Sequence, residues 1–319
     1  MIRGQEKAVA QFRTAWDAGT LHHAWLLAGP RGVGKGTFAY DAAVRVLADA
    51  AGPREGLPGL EVPDSHPVAR LIAAGSHPDL RVLQRLENEK TGNLARNISV
   101  DQVRSLGDLF DLTPALSPWR AVIIDAADDL EGSAANALLK MLEEPPSNCL
   151  FLLVAHAPGR LLPTIRSRCR RLEFQRLDDD AMAAILSRNV ADMTAAQTHK
   201  IIAMASGSAS RAMAFAELDL APLEEKALGI LRDGDPTNAR RSELAQELGR
   251  KGAGDRYAAF LELVPTIIAR EARAASGGKR ARALDAYDKA RELAAIAPRV
   301  SLDPAATIFQ LGGILASVP

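Results

Sequence analysis

The sequence predicts an α/β fold: a five-stranded parallel sheet with a phosphate-binding loop, followed by a small helical domain and a larger all-helical one. Three observations predict it. Short apolar runs alternate with helical stretches through the first half of the chain, and a glycine-rich segment joins the first run to an amphipathic helix. Beyond Phe174 the strand signal stops and apolar residues recur at helical spacing.

The five runs lie at Ala24–Ala28, Leu80–Leu83 and residues 121–124, 150–155 and 172–174. Val122-Ile123-Ile124 and Phe151-Leu152-Leu153-Val154 read as strands buried on both faces, the habit of a parallel sheet covered by helices. The first two thirds of the stretch 50–97, with Pro53, Pro58, Pro63 and Pro67, reads as a surface insertion.

In the second half, Met182, Ile185, Leu186 and Val190 mark one amphipathic helix. Thr194 and Gln197 form a capping box that opens a second, with Ile201, Ile202 and Ala205 on its inner face. Residues 210–218 make a third. A break at 219–222 precedes further helices, punctuated by Gly234-Asp235-Pro236, by residues 252–254 and by Ser276-Gly277-Gly278. The expected division is an α/β domain at 1–173, a small helical domain at 174–220 and a helical domain at 221–319.

Composition narrows the function. With 319 residues and 47% hydrophobic content the chain can bury a sizeable core. Lys+Arg and Asp+Glu both number 39, so there is no overall basic footprint for free-standing nucleic-acid binding. Cys149 and Cys169 are too few for a disulfide framework or a four-thiolate zinc site. Charges at Arg3, Glu6, Lys7, Arg13 and Asp17 interrupt any secretory apolar core, and no run of eighteen apolar residues occurs. A cytoplasmic protein without a membrane span is expected.

The chemistry gathers on Gly29-Pro30-Arg31-Gly32-Val33-Gly34-Lys35, between the first strand and a helix carrying Phe38, Ala42, Val44, Val46 and Leu47. Gly29, Gly32 and Gly34 let backbone N–H groups converge on phosphates, and Lys35 would reach the β and γ phosphates. The next position should supply a Ser or Thr hydroxyl to Mg²⁺, yet it is Gly36. Thr37 is adjacent, but one helical step turns a side chain by about 100°, so it should not take over. The strand 121–124 ends at Asp125, a carboxylate able to hold Mg²⁺ through water. It is followed by Ala126, where hydrolysing proteins place a base; losing such a base typically costs about 10²- to 10⁴-fold in rate. Asp128 should lie beyond the strand end. The expected outcome is degenerate nucleotide binding through Gly29, Gly32, Gly34, Lys35, Thr37 and Asp125. No cofactor is required, no metal is bound, and residual ATP or ADP binding lacks productive magnesium.

Ala134-Ala135-Asn136-Ala137-Leu138-Leu139-Lys140-Met141-Leu142-Glu143-Glu144-Pro145-Pro146, followed by Pro163-Thr164-Ile165-Arg166-Ser167-Arg168-Cys169, resembles the clamp-loader branch of the AAA+ ATPases that serves bacterial DNA polymerase III. Leu21-His22-His23-Ala24-Trp25-Leu26-Leu27 and Ile98-Ser99-Val100-Asp101-Gln102-Val103-Arg104 are similar to family sequences too. The resemblance spans about residues 21 to 175. It implies a P-loop AAA+ domain, a helical lid and an all-helical collar, assembled in a ring with ATP at subunit boundaries. The implied partners are gamma/tau ATPase subunits and the delta subunit, with the sliding clamp met indirectly and primed DNA held within the complex. Arg168, with Ser167 and Cys169 as its motif, is implied as an arginine finger acting in trans on a neighbour's ATP, and no residue is catalytic in cis.

This sequence departs from the family in three places. The cysteines of a zinc module are absent from the insertion; His66 and His77, near Asp64 and Asp79, are the residues that could hold a metal there, although histidines beside prolines are more often turn residues. The family's nucleotide-sensing arginine falls near Ser210, one place from Arg211. His156 takes about the place of a polar sensor, with a strand-end histidine as the plainer reading. Two rival functions stay open: an active motor of the gamma/tau type, and a helical DNA-binding module drawing on Arg240-Arg241, Arg250-Lys251 and Lys279-Arg280-Ala281-Arg282.

Overall fold

A computed structural model describes residues 2–52, 56–87, 94–298 and 300–319, so Pro53 of the insertion lies outside the described residues. Its contacts group the chain into two compact units, Met1–Ala181 and Met182–Pro319.

The first unit is built on β1 (Ala24–Ala28), β2 (Leu80–Leu83), β3 (Arg120–Asp125), β4 (Cys149–Ala155) and β5 (Arg170–Glu173). All pairs are parallel and the order is β2-β3-β4-β1-β5. The apolar runs that predict strands fall on these five, extended by one or two residues where a polar end joins the ladder, except that Phe174 of the fifth run lies just beyond β5. Helices α1 (Glu6–Asp17), α2 (Lys35–Ala51), α3 (Pro67–Ala73), α4 (Val100–Arg104), α5 (Leu106–Asp111), α6 (Gly132–Glu143) and α7 (Pro163–Ser167) cover it. Because side chains alternate along a strand, the sheet feeds two cores. Trp25, Leu27, Ile123, Leu152 and Val154 join Phe12, Phe38, Ala42 and Val46 on one face. Leu26, Val122, Ile124, Phe151 and Leu153 join Leu106, Leu138 and Ile165 on the other.

The insertion is more than a surface loop. Leu60, Val68 and Ile72 sink into the first core, so apolar residues scattered among prolines still find a face to bury. After β1 the chain leaves for the far edge of the sheet and returns through β3 and β4, and β5 then pairs with the other side of β1. That reversal opens a crevice at the carboxyl ends of β1 and β4, where α/β sheets bind ligands.

The second unit, entered through α8 (Asp179–Asn189), holds α9 (Ala195–Ala205), α10 (Ala209–Glu217), α11 (Ala221–Asp233), α12 (Ala239–Leu248), α13 (Gly254–Ala274), α14 (Gly277–Ile296) and α15 (Pro304–Ala316). The Thr194/Gln197 capping box forms with both its bonds. Two expected breaks are narrower than the sequence implies. Pro222 sits in the first turn of α11, where its missing N–H leaves nothing unpaired, and Gly277 and Gly278 open α14 rather than interrupt the chain. Among the described residues, no helix is long and apolar enough to cross a membrane.

Phe38 is fully buried, with ring centroids 5.6 Å from Phe12 and 5.2 Å from Phe174. Its removal leaves a cavity between those two rings. Phe38→Ala is expected to destabilise the protein by about 3–5 kcal/mol in urea unfolding, through a lower midpoint at unchanged slope; a loss below about 1 kcal/mol would mean that the rings do not pack as described.

Candidate nucleotide site

The loop after β1 is shaped by close approaches that only glycine allows. A Cβ on Gly29, at φ +157°, would meet the Phe174 carbonyl oxygen at 2.3 Å, so the loop leaves β1 against the end of β5. Gly34, at φ 96°, caps α2 in the left-handed region. Gln5 ties this arrangement from outside. Its Nε2 donates to the Val33 carbonyl at 3.1 Å and the Gln175 carbonyl at 2.8 Å, while its Oε1 accepts from the Gln175 N–H at 3.3 Å. No local sequence signal marks Gln5, because its partners are distant in the chain.

Lys35 lies buried at the start of α2 and donates to the carbonyls of Gly29 at 2.8 Å and of Pro30. Burial is the chief reason its pKa falls to about 8, with Asp125 and Asp128 opposing and Arg31 assisting. Asp125 stands across from it at the end of β3. Desolvation raises the carboxyl of Asp125, against the pull of Lys35 and Arg31.

The missing hydroxyl has a location. A Cβ on Gly36 would lie 3.0 Å from Asp125 Oδ2, so position 36 faces the carboxylate that should share a metal with it, and it offers no oxygen. Thr37 is exposed and Ala126 is buried. One carboxylate without a hydroxyl beside it is a poor octahedral donor set, and the residues present do not fit a productive Mg²⁺ site. Asp128 is already engaged. Its carboxylate accepts from the backbone N–H groups of His156 and, at 3.2 Å, of Ala157, pinning the exits of β3 and β4 together. His156 is held neutral: burial first, then Lys35 and Arg31, lower it to about 4, and its Nδ1 is buried without a hydrogen-bond partner.

With this geometry fixed, a family model described as DNA polymerase III, delta subunit, matches residues 4–178. The chain belongs to that delta-subunit family. The delta-prime subunit of Pseudomonas aeruginosa DNA polymerase III is 36% identical over 186 residues, 58% of this chain and 53% of that one. Its Bacillus subtilis counterpart is 37% identical over 162 residues, 51% of this chain and 45% of the other. A gamma/tau subunit from Mycobacterium bovis is 33% identical over 191 residues, 59% of this chain and 30% of the other. The chain spans about half the length of the delta-prime relatives it matches. Among solved structures, a gamma-subunit-related protein from Thermotoga maritima aligns with 97% of this chain and 99% of that one, at 16% identity and a TM-score of 0.47. The kinship with the clamp-loader subunits of DNA polymerase III, expected from the motifs between residues 21 and 175, holds, and the similarity is to delta-prime.

The delta-family chain places its Ser-Arg-Cys motif at the end of α7. Arg168 is partly exposed, donates to the Thr164 carbonyl at 3.0 Å and pairs with Glu143 of α6 at 2.8 Å. Ser167 Oγ donates to the same carbonyl at 3.0 Å. The Cys169 thiol packs against the second core, and burial pushes it up to about 12; Cys149, buried in β4, is raised to about 12 for the same reason. The histidines of the insertion serve turns. His66 Nδ1 caps α3 by accepting from Val68 N–H at 3.2 Å, and His77 Nδ1 accepts from Asp79 N–H at 3.2 Å. Among the described residues, no cluster of three or more His, Cys, Asp or Glu side chains is placed to hold a metal. Arg211 is engaged within the second unit, donating to Thr266 Oγ1 at 3.1 Å.

Two outcomes follow from this geometry. Gly36→Ser puts an oxygen beside Asp125, so calorimetry with an ATP analogue should show Mg²⁺ strengthening its binding to the variant by about tenfold. Wild type should show no such gain, and an equal Mg²⁺ response in both would mean that position 36 does not face the metal ligand. For Lys35, the unfolded chain binds a proton between about 8 and 10.5 that the folded chain does not. Stability contributed by this group therefore rises with pH across that window. In parallel urea titrations wild type should gain on Lys35→Met as pH climbs through it; identical slopes would place the amine in water.

Proposed function

We propose that this chain is a non-hydrolysing clamp-loader subunit. It holds the ring together, supplies Arg168 in trans to a neighbouring ATPase subunit, and so helps load the sliding clamp on primed DNA. The observation that carries the reading is Gly36 facing Asp125 beside Ala126: a phosphate loop with its lysine in place and both the metal hydroxyl and the water-activating base replaced. Such a site can cradle phosphates without turning them over.

Arg168 supports the second half of the proposal. Its guanidinium sits at the exposed end of α7, held by Thr164 and Glu143 and partly open to solvent. Five N–H donors in a rigid fork leave some free for a γ-phosphate while others keep their anchors, and an arginine supplied in trans can be worth about 10³- to 10⁵-fold at the site it completes. The neighbours proposed for the ring are gamma/tau and delta subunits. Residues 174–220 act as lid and 221–319 as collar, and the assembly works in the cytoplasm as an accessory part of DNA polymerase III.

The test is reconstitution. Arg168→Ala should lower the DNA-stimulated ATPase of the loader by the full share of the one site it completes, without dissociating the ring, whereas Glu143→Gln should leave it intact. Unchanged turnover with Arg168→Ala would sink the trans role. The gamma/tau-type motor rests on the 33% identity to such a subunit. Turnover by the purified chain, abolished by Lys35→Ala, would favour that motor instead.

A further inference from the structure

At the end of the sheet opposite the phosphate loop lies a groove of about 690 Å³, lined by Phe110, residues 113–118, Arg120 and residues 146–148. Arg120 opens β3, so five steps at about 3.3 Å separate it from Asp125, about 17 Å in all. This is a separate place on the domain. Arg120 is only 7% exposed; its backbone N–H donates to the Asn148 carbonyl at 2.9 Å, and among the described residues its side chain makes no recorded hydrogen bond or ion pair. Among the described residues that line the groove, it is also the one that is ionisable.

A guanidinium with no ion-pair partner keeps its fork free, and that fork matches a carboxylate two bonds at a time. The walls are already set. The buried Asp79 carboxylate accepts from the N–H groups of Ala115 at 2.8 Å and Leu116 at 2.9 Å, and Ser117 Oγ accepts from Trp119 N–H at 3.1 Å. Pro114, Pro118 and Pro146 stiffen the rest, and Leu116 keeps 45% of its surface exposed. Pre-formed walls lower the entropy lost when a ligand docks, and a mostly apolar cleft with a single charged anchor is the usual form of a binding site.

We propose that this groove binds an extended segment of a partner protein in which a glutamate or aspartate, flanked by apolar residues, pairs with Arg120. Charge complementarity selects the occupant. A nucleic-acid strand would require a track of cations, and the described lining offers one, set among apolar and small uncharged polar residues. The inference is independent of the ring reading, since it uses neither the phosphate loop nor Arg168.

The test pans a random dodecapeptide library against the full-length chain and measures the enriched peptides by fluorescence anisotropy. Peptides with one acidic residue between apolar neighbours should dominate and lose at least tenfold in affinity on Arg120→Gln. Arg120→Lys should retain part of the binding, and Leu116→Asp, an exposed wall change that spares the core, should weaken it by like-charge repulsion. Melting curves of each variant show whether it is folded. Enrichment without acidic residues, or acidic peptides bound equally by the folded Arg120→Gln and Leu116→Asp variants, would overturn the proposal. So would Arg120-dependent binding of a fluorescent oligonucleotide that no enriched peptide displaces.

Discussion

The phosphate-loop edge of this protein depends on one close approach, the backbone of Gly29 against the Phe174 carbonyl beyond the end of β5. With no side chain at position 29, the loop can turn directly off β1 while β1 remains tucked between β4 and β5. Everything downstream inherits that position: the left-handed cap at Gly34, the burial of Lys35 under its own loop carbonyls, and the placing of Gly36 beside Asp125. Gln5 holds the same contact from the other side, joining the loop to the segment after β5.

Burial sets the electrostatics of this edge. The Lys35 ammonium is disfavoured, the Asp125 carboxylate is disfavoured and His156 is kept neutral, each chiefly by desolvation. Lys35 and Asp125 each oppose the other's shift, while the Lys35 amine itself donates to the loop carbonyls. Asp128, two positions beyond Ala126, serves as a brace between two strand exits.

Much of the first unit was legible because its signals are local. Val122-Ile123-Ile124 and the run through Phe151 alternate between two cores, and a glycine-rich turn between a strand and an amphipathic helix reads directly as a phosphate loop. The Thr194/Gln197 box is likewise written within four residues. What escaped is non-local. Gln5 finds partners 28 and 170 residues away, and Asp128 meets His156 only because β3 and β4 end side by side. The insertion looked solvent-facing because its prolines dominate the pattern, yet Leu60, Val68 and Ile72 answer to a core formed elsewhere. Pairing of Arg168 with Glu143 depends on how α7 lies against α6, which spacing does not encode.

The two thiols carry a practical consequence. Cys149 is sealed within β4 and Cys169 leans into the second core, each with its thiolate strongly disfavoured near neutral pH. Alkylating reagents attack the thiolate, so both native sulfurs should stay silent toward maleimide dyes. A single cysteine introduced on the surface would then label cleanly in the otherwise unaltered chain, opening the protein to distance measurements by fluorescence or spin probes.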